Sequence, residues 1–217
     1  MKKICFSDKY GLTEAVLSGR KTQTRRICKH DRPDETYDIA FPIFEDKDFD
    51  GEGNPISPLY GAFCWRNEAG DCTEWNVPKY KEGEVVAVAQ SYKEADIADC
   101  PSPIENIYYE ARHLPGWTNK MFVRADLMPH RIRITNVRLE QLQDISDEDC
   151  IKEGICKWTK DRELFKYDLY EGTEMFLWSE KPIKPREAYA ALIDRIAGKG
   201  TWDSNPYVFV YDFELVK

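Results

Sequence analysis

The chain has 217 residues, a formal net charge of −8 and a pI near 5.1, so its surface as a whole should not attract nucleic acid or an anionic membrane. Any anion site must be a local patch. Seven cysteines with no CxxC pair fit reduced, buried thiols better than a disulfide framework. No run approaches the roughly 18 apolar residues of a membrane span, and the apolar start "MKKICFS" stops at Phe6, so a cytoplasmic protein is expected.

In chain order, "SDKYGLTEAVLSG" predicts a first helix with Ser7 as N-cap, an apolar face of Leu12, Ala15 and Val16, and Gly19 as a left-handed stop. "KTQTRRICK" then reads as a strand. From about residue 29 to 78 the composition turns to Asp, Pro, Gly and aromatics, as expected of an insertion. Within it, "GAFCWRNEAGDCTEWNV" predicts a hairpin turning at Asn67 to Gly70, which would pair Cys64 with Thr73 and Cys72 with Trp65 and send the two cysteines to opposite faces. "GEVVAVAQSY" is a buried strand, and "MPHRIRITNVRLEQL" a second one whose alternation breaks near Asn136. "SDEDCIKEGI" carries the signature of a short helix, with Ser146 and Asp149 as capping box and Gly154 as stop. Two further insertions, about 93–126 and 156–184, show no regular pattern. The last helix puts Ala188, Tyr189, Leu192, Ile193 and Ile196 on one face, and the final strand puts Tyr207, Phe209, Tyr211, Phe213 and Leu215 on one side. Strands outnumber helices and no βαβ alternation appears, which predicts an α+β fold built on a small mixed β-barrel.

Two charged positions stand out. Glu153 falls at a helix C-terminus, where the macrodipole disfavours a carboxylate by roughly 0.3–1 kcal/mol, a setting that suits a proton donor. Lys21 is flanked by Arg20, Arg25 and Arg26, and neighbouring positive charge favours the neutral amine, which could deprotonate a hydroxyl such as that of Thr24. Strict strand alternation would separate Lys21 from Thr24, so the pairing requires a turn or bulge just after Gly19. The competing use of Arg20, Arg25 and Arg26 is phosphate contact with a nucleic-acid backbone. Cys28, His30, Cys64 and Cys72 match no common zinc spacing, so no metal is expected. Trp65, Trp75, Tyr92, Trp117 and Trp202 are available for base stacking, although most aromatics in a chain of this size belong to the core.

Together, "VLSGRKTQTRR", "YKEGEVVAV", "RITNVRLEQLQDISDEDCIKEGI" and "GKGTWDSNPYVFVYDFELV" resemble the ASCH domain family, as found in bacterial and phage-derived proteins. The resemblance implies one PUA-like barrel domain over residues 1–217, carrying the three insertions, with RNA or a nucleoside recognised in the barrel cleft and no cofactor. One bacterial branch of the family is an amidohydrolase that removes the acetyl group of N4-acetylcytidine. Similarity to that branch implies Lys21 as proton acceptor, Thr24 as nucleophile and Glu153 as proton donor. The alternative is a non-catalytic RNA-binding module that uses the basic "GRKTQTRR" patch. The chain departs from the family around its central strand, reading Gly83, Glu84 and then Ala89, Gln90, Ser91, Tyr92 where the family often has Gly-Asp and an Arg-Glu pair.

Overall fold

The computed structural model describes residues 1–53, 55–94 and 113–216. Its centre is a five-stranded sheet of β1 (Lys3–Ile4), β2 (Gln23–Ile27), β5 (Val85–Val88), β6 (Arg131–Gln141) and β9 (Tyr207–Val216), in the order β1-β5-β6-β9-β2. β1 runs parallel to β5, and every other pairing is antiparallel. The sheet is open, with β1 and β2 as its edges. The fold is thus α+β, but the closed barrel expected from the strand-rich sequence is not formed among the described residues.

The β6–β9 ladder is the spine of the sheet, running from Arg131 opposite Val216 to Gln141 opposite Tyr207. Its register shifts between Ile134 and Asn136, where the apolar alternation of the sequence breaks. β9 is buried on both faces, with Val208 and Val210 on one side and Phe209, Tyr211 and Phe213 on the other. That explains its almost unbroken apolar run: a strand with paired neighbours and covered faces has no polar side to present.

Among the described residues the sheet is accompanied by the α-helices α1 (Leu12–Leu17), α2 (Asp147–Lys152), α3 (Pro185–Ala197) and α4 (Thr201–Ser204). α1 starts later than expected, because Gly11, and not Ser7, stands at its N-cap, in the left-handed region at φ 62°. α2 begins as predicted, with the Ser146 hydroxyl accepting the Asp149 amide at 3.1 Å. The Asp149 side chain turns instead toward the sheet. α3 buries Ala188, Tyr189, Leu192 and Ile193, whereas Ile196 is exposed.

The insertions hold more order than their composition suggests. In 29–78, β3 (Tyr37–Ala40) pairs with β4 (Cys64–Asn67). After β4 the chain turns through Asn67 to Asp71 and bridges Arg66 to Cys72. That register corrects the expected one: Cys72, opposite Arg66, shares a face with Cys64, whose thiol is pushed up to about 11, first by burial and then by Cys72. In 156–184, β7 (Cys156–Thr159) and β8 (Phe165–Asp168) form a hairpin where no regular pattern was expected. Of the 93–126 insertion, residues 95–112 lie outside the described residues. Its remainder is clasped to the sheet edge by Lys3, whose Nζ donates to the carbonyls of Lys120, Met121 and Val123 at 3.2, 2.7 and 2.8 Å.

Candidate functional site

The site is built around β2 and the two loops that flank it. Gly19, at φ 73°, ends the α1 segment in the left-handed region and turns the chain back on itself. The Lys21 amide then donates to the Ala15 carbonyl at 2.8 Å and the Thr22 amide to the Lys152 carbonyl at 2.9 Å. This loop is held between α1 and the end of α2, and the strand begins only at Gln23. Lys21 therefore escapes the strand alternation that would have fixed its direction.

Lys21 uses that freedom to reach Glu153, the C-cap of α2. Its Nζ donates to Glu153 Oε2 at 2.5 Å and to the Glu153 carbonyl at 2.7 Å. Both residues are almost wholly buried, at 2% and 4% exposure. Gly154 makes the approach possible, since its φ of 109° suits only glycine and a Cβ there would lie 3.3 Å from Leu12 and 3.8 Å from Lys21. The Lys21 ammonium is held below its ordinary 10.5, chiefly by burial, with help from Arg26 and Arg25 and against the pull of Glu153. The sequence reading assigned this direction to the arginines; burial is the larger cause.

Glu153 also accepts from Arg25 Nη1 at 3.3 Å, which ties the pair into a network on one face of β2. Arg25 Nη2 pairs with Glu140 at 3.0 Å and Asp149 at 3.3 Å. Gln23, on the same face, donates to Asp149 at 3.2 Å and Asp212 at 2.6 Å. Arg138 bridges Glu140, Asp149 and Asp212. Burial alone would lower Arg25, but Glu153 leads the interactions that raise it instead. Tyr189 of α3 closes this space, its hydroxyl pushed well up by burial and then by the Glu153 charge.

Thr24 and Arg26 occupy the other face of β2, opposite Tyr211 and Phe209 of β9. The Thr24 side chain is buried, and its hydroxyl has no hydrogen-bond partner among the described residues, Lys21 and Glu153 included. Lys21 Nζ and the Arg26 guanidinium nevertheless approach the same Phe6 ring, 5.8 and 5.6 Å from its centre. Arg26 donates to the Cys5 carbonyl at 2.6 Å and forms no ion pair among the described residues. Arg20 stands apart, half-buried, with its guanidinium 4.2 Å from the centre of the Tyr170 ring.

So the structure unites Lys21, Glu153 and Arg25 in one buried network. It sets Thr24 and Arg26 across the strand, and Arg20 at the β7–β8 side. Lys21, Thr24 and Glu153 do not line the cavities of about 790, 710 and 500 Å³ formed by described residues. Arg26 does line one, a groove of about 790 Å³. Of the aromatics considered for stacking, Trp65 is core, T-shaped against Phe63 and Tyr207, whereas Trp75 lines the groove. Sequence reading missed Gln23, Glu140, Arg138, Asp149 and Asp212 as members of the network. One signal was present: Gln23 and Arg25, and likewise Arg138 and Glu140, are two apart in strands, so each pair shares a face.

Among the described residues no group of three His, Cys, Asp or Glu side chains could hold a metal ion, and no helix is long and apolar enough to cross a membrane. Comparison with family models, with curated proteins and with solved structures gives no match.

Proposed function

We propose that the chain is an ASCH-like, PUA-related protein that binds a modified nucleoside, free or within RNA, and hydrolyses an amide on it, with N4-acetylcytidine as the substrate to test. The observation that supports this reading is the buried contact of Lys21 with Glu153, reached across the fold by a turn after Gly19 and a glycine stop after α2. Burial disfavours separated charge, and moving one proton along the 2.5 Å contact converts the ion pair into a neutral amine beside a carboxylic acid. Those are the two forms that amide hydrolysis needs.

In this reaction the Lys21 amine takes the Thr24 hydroxyl proton, and Oγ1 attacks the acyl carbon of the amide. Glu153 gives its proton to the departing amine as the carbon–nitrogen bond breaks. Water then attacks the resulting ester, releasing the acid and restoring Thr24. The Thr24 hydroxyl makes no hydrogen bond among the described residues, and catalytic hydrogen bonds commonly tighten only when substrate is bound. Arg25, held by three carboxylates, positions Glu153 and does not contact ligand.

The test is hydrolysis of N4-acetylcytidine by the purified chain beside Lys21→Ala, Thr24→Val and Glu153→Gln. Turnover lost in all three, with folding retained, supports the reading; a folded wild type without turnover removes it. Because the reactive form keeps one proton on the pair, as a neutral Lys21 beside a protonated Glu153, turnover should fall as pH rises through the lowered Lys21 value, below 10.5, where that proton is lost.

A second reading has its own support, namely that Arg20 and Arg26 form no ion pair among the described residues. Non-catalytic RNA binding through these two cations predicts affinity that falls steeply with salt. Nucleoside hydrolysis should respond to salt far less.

A further inference from the structure

The groove of about 790 Å³ lies on the Thr24–Arg26 face of the sheet, within the 300–1,000 Å³ typical of small-molecule sites. Its walls come from two sources. β2 and β9 supply Arg26, Phe209 and Tyr211, and the segment leading into β5 supplies Trp75, Lys79 and Tyr80. Tyr80 and Tyr211 are fixed: their rings meet edge to face at 5.4 Å, Tyr80 donates to the Lys3 carbonyl at 2.8 Å, and Tyr211 accepts the Lys79 amide at 2.9 Å. They make a rigid apolar floor.

Two groups on the walls are left underused by the described residues. Trp75 is part-exposed, yet its ring makes no aromatic or cation contact and its indole N–H has no hydrogen bond among the described residues. Arg26 carries a half-buried charge whose contacts among the described residues are the Cys5 carbonyl and the Phe6 ring, with no carboxylate and with Nε unpartnered. Partly buried charges are normally balanced by opposite charge, and among the described residues none faces this one beside open space. Lys29 and Lys79 also line it, and among the described residues Glu74, which pairs with Lys29 at 3.8 Å, is the one carboxylate of the lining. In a chain of net charge −8 this is a local positive site walled by aromatic rings.

We propose that the groove is a binding site for a planar aromatic ligand that carries an anionic group, stacked on Trp75 with its anion toward Arg26. Nucleotides and aromatic carboxylates share this chemistry. The inference goes beyond the proposed amide hydrolysis and does not depend on it, because it uses neither Lys21 nor Glu153.

The experiment is calorimetric titration of the full chain with adenosine 5′-monophosphate and, separately, indole-3-acetate. Adenosine and inorganic phosphate serve as single-feature controls. Each titration is repeated with Trp75→Ala, Arg26→Gln and Glu153→Gln, after thermal melts confirm folding. At least one of the two aromatic anions should bind, tenfold or more tighter than either control, and the binding should weaken tenfold or more in both Trp75→Ala and Arg26→Gln. Which ligand binds identifies its source. Binding of neither ligand, equal binding of phosphate alone, or binding unmoved by either variant overturns the proposal. Binding lost in Glu153→Gln and kept in Trp75→Ala would place the ligand at the Lys21 pair and overturn it as well.

Discussion

Arg25 and Arg26 are neighbours in sequence and opposites in circumstance. Arg25 faces α2, is 6% exposed, and has Glu140, Asp149 and Glu153 around its guanidinium. Arg26 faces the groove, where its partners among the described residues are the Cys5 carbonyl and the Phe6 ring and no carboxylate. The same residue type on two sides of one edge strand thus does two jobs. One cation is tied into an ion-pair network, and the other has a carbonyl and a ring for company among the described residues. A count of basic residues in "GRKTQTRR" hides this division, which only the two faces of β2 reveal.

The largest expected effect breaks the saturated side. Arg25→Met should destabilise the chain by about 3 kcal/mol, read as a lower urea midpoint, because it removes the buried cation shared by Glu140, Asp149 and Glu153 and leaves their charges only partly balanced by Lys21 and Arg138. Next, Gly154→Ala should cost about 1–3 kcal/mol, since a Cβ at φ 109° is strained and would press on Leu12 beside Lys21. A loss of N4-acetylcytidine turnover beyond that loss of stability would show that the Lys21–Glu153 approach had moved. Arg26→Gln should cost about 1.5 kcal/mol, the low end for one hydrogen bond from a charged group, here to the Cys5 carbonyl. Equal destabilisation by the Arg25 and Arg26 variants would erase the distinction between the two faces.

The smallest effect concerns acid. Burial alone would raise the Asp149 carboxyl, but hydrogen bonds from Lys152 and Gln23, with the charges of Lys152 and Arg25, hold it below its ordinary 3.8. The folded protein therefore binds this proton less readily than the unfolded chain. The stability it contributes is complete above 3.8 and is lost as pH falls through the depressed folded value. Asp149→Asn should flatten that part of the acid unfolding curve.

Much of the frame was legible because it follows from local rules. The break in β6 near Asn136, the Ser146 cap, the Gly19 and Gly154 stops and the apolar face of α3 all rest on periodicity or glycine geometry. The position of Glu153 before a stop glycine was enough to single it out. What escaped was non-local. The open sheet depends on how strands distant in sequence pair, and the β7–β8 hairpin lies in a polar segment whose pattern does not announce a strand. The hairpin after β4 was read with its turn one residue short, which reversed the relation of Cys64 to Cys72. The carboxylates around Arg25 come from β6 and α2, more than a hundred residues away. No local pattern could have joined them to β2.

The measurement that tests the central claim most directly is titration of the Lys21 side chain by NMR in protein carrying 13C at lysine Cε, with Lys21→Arg to assign the signal. The account predicts a midpoint below 10.5, because burial outweighs the attraction of Glu153 and leaves an amine able to accept a proton. A midpoint at or above 10.5 would show a locked ammonium, and Lys21 would then be a structural partner of Glu153 and not a base.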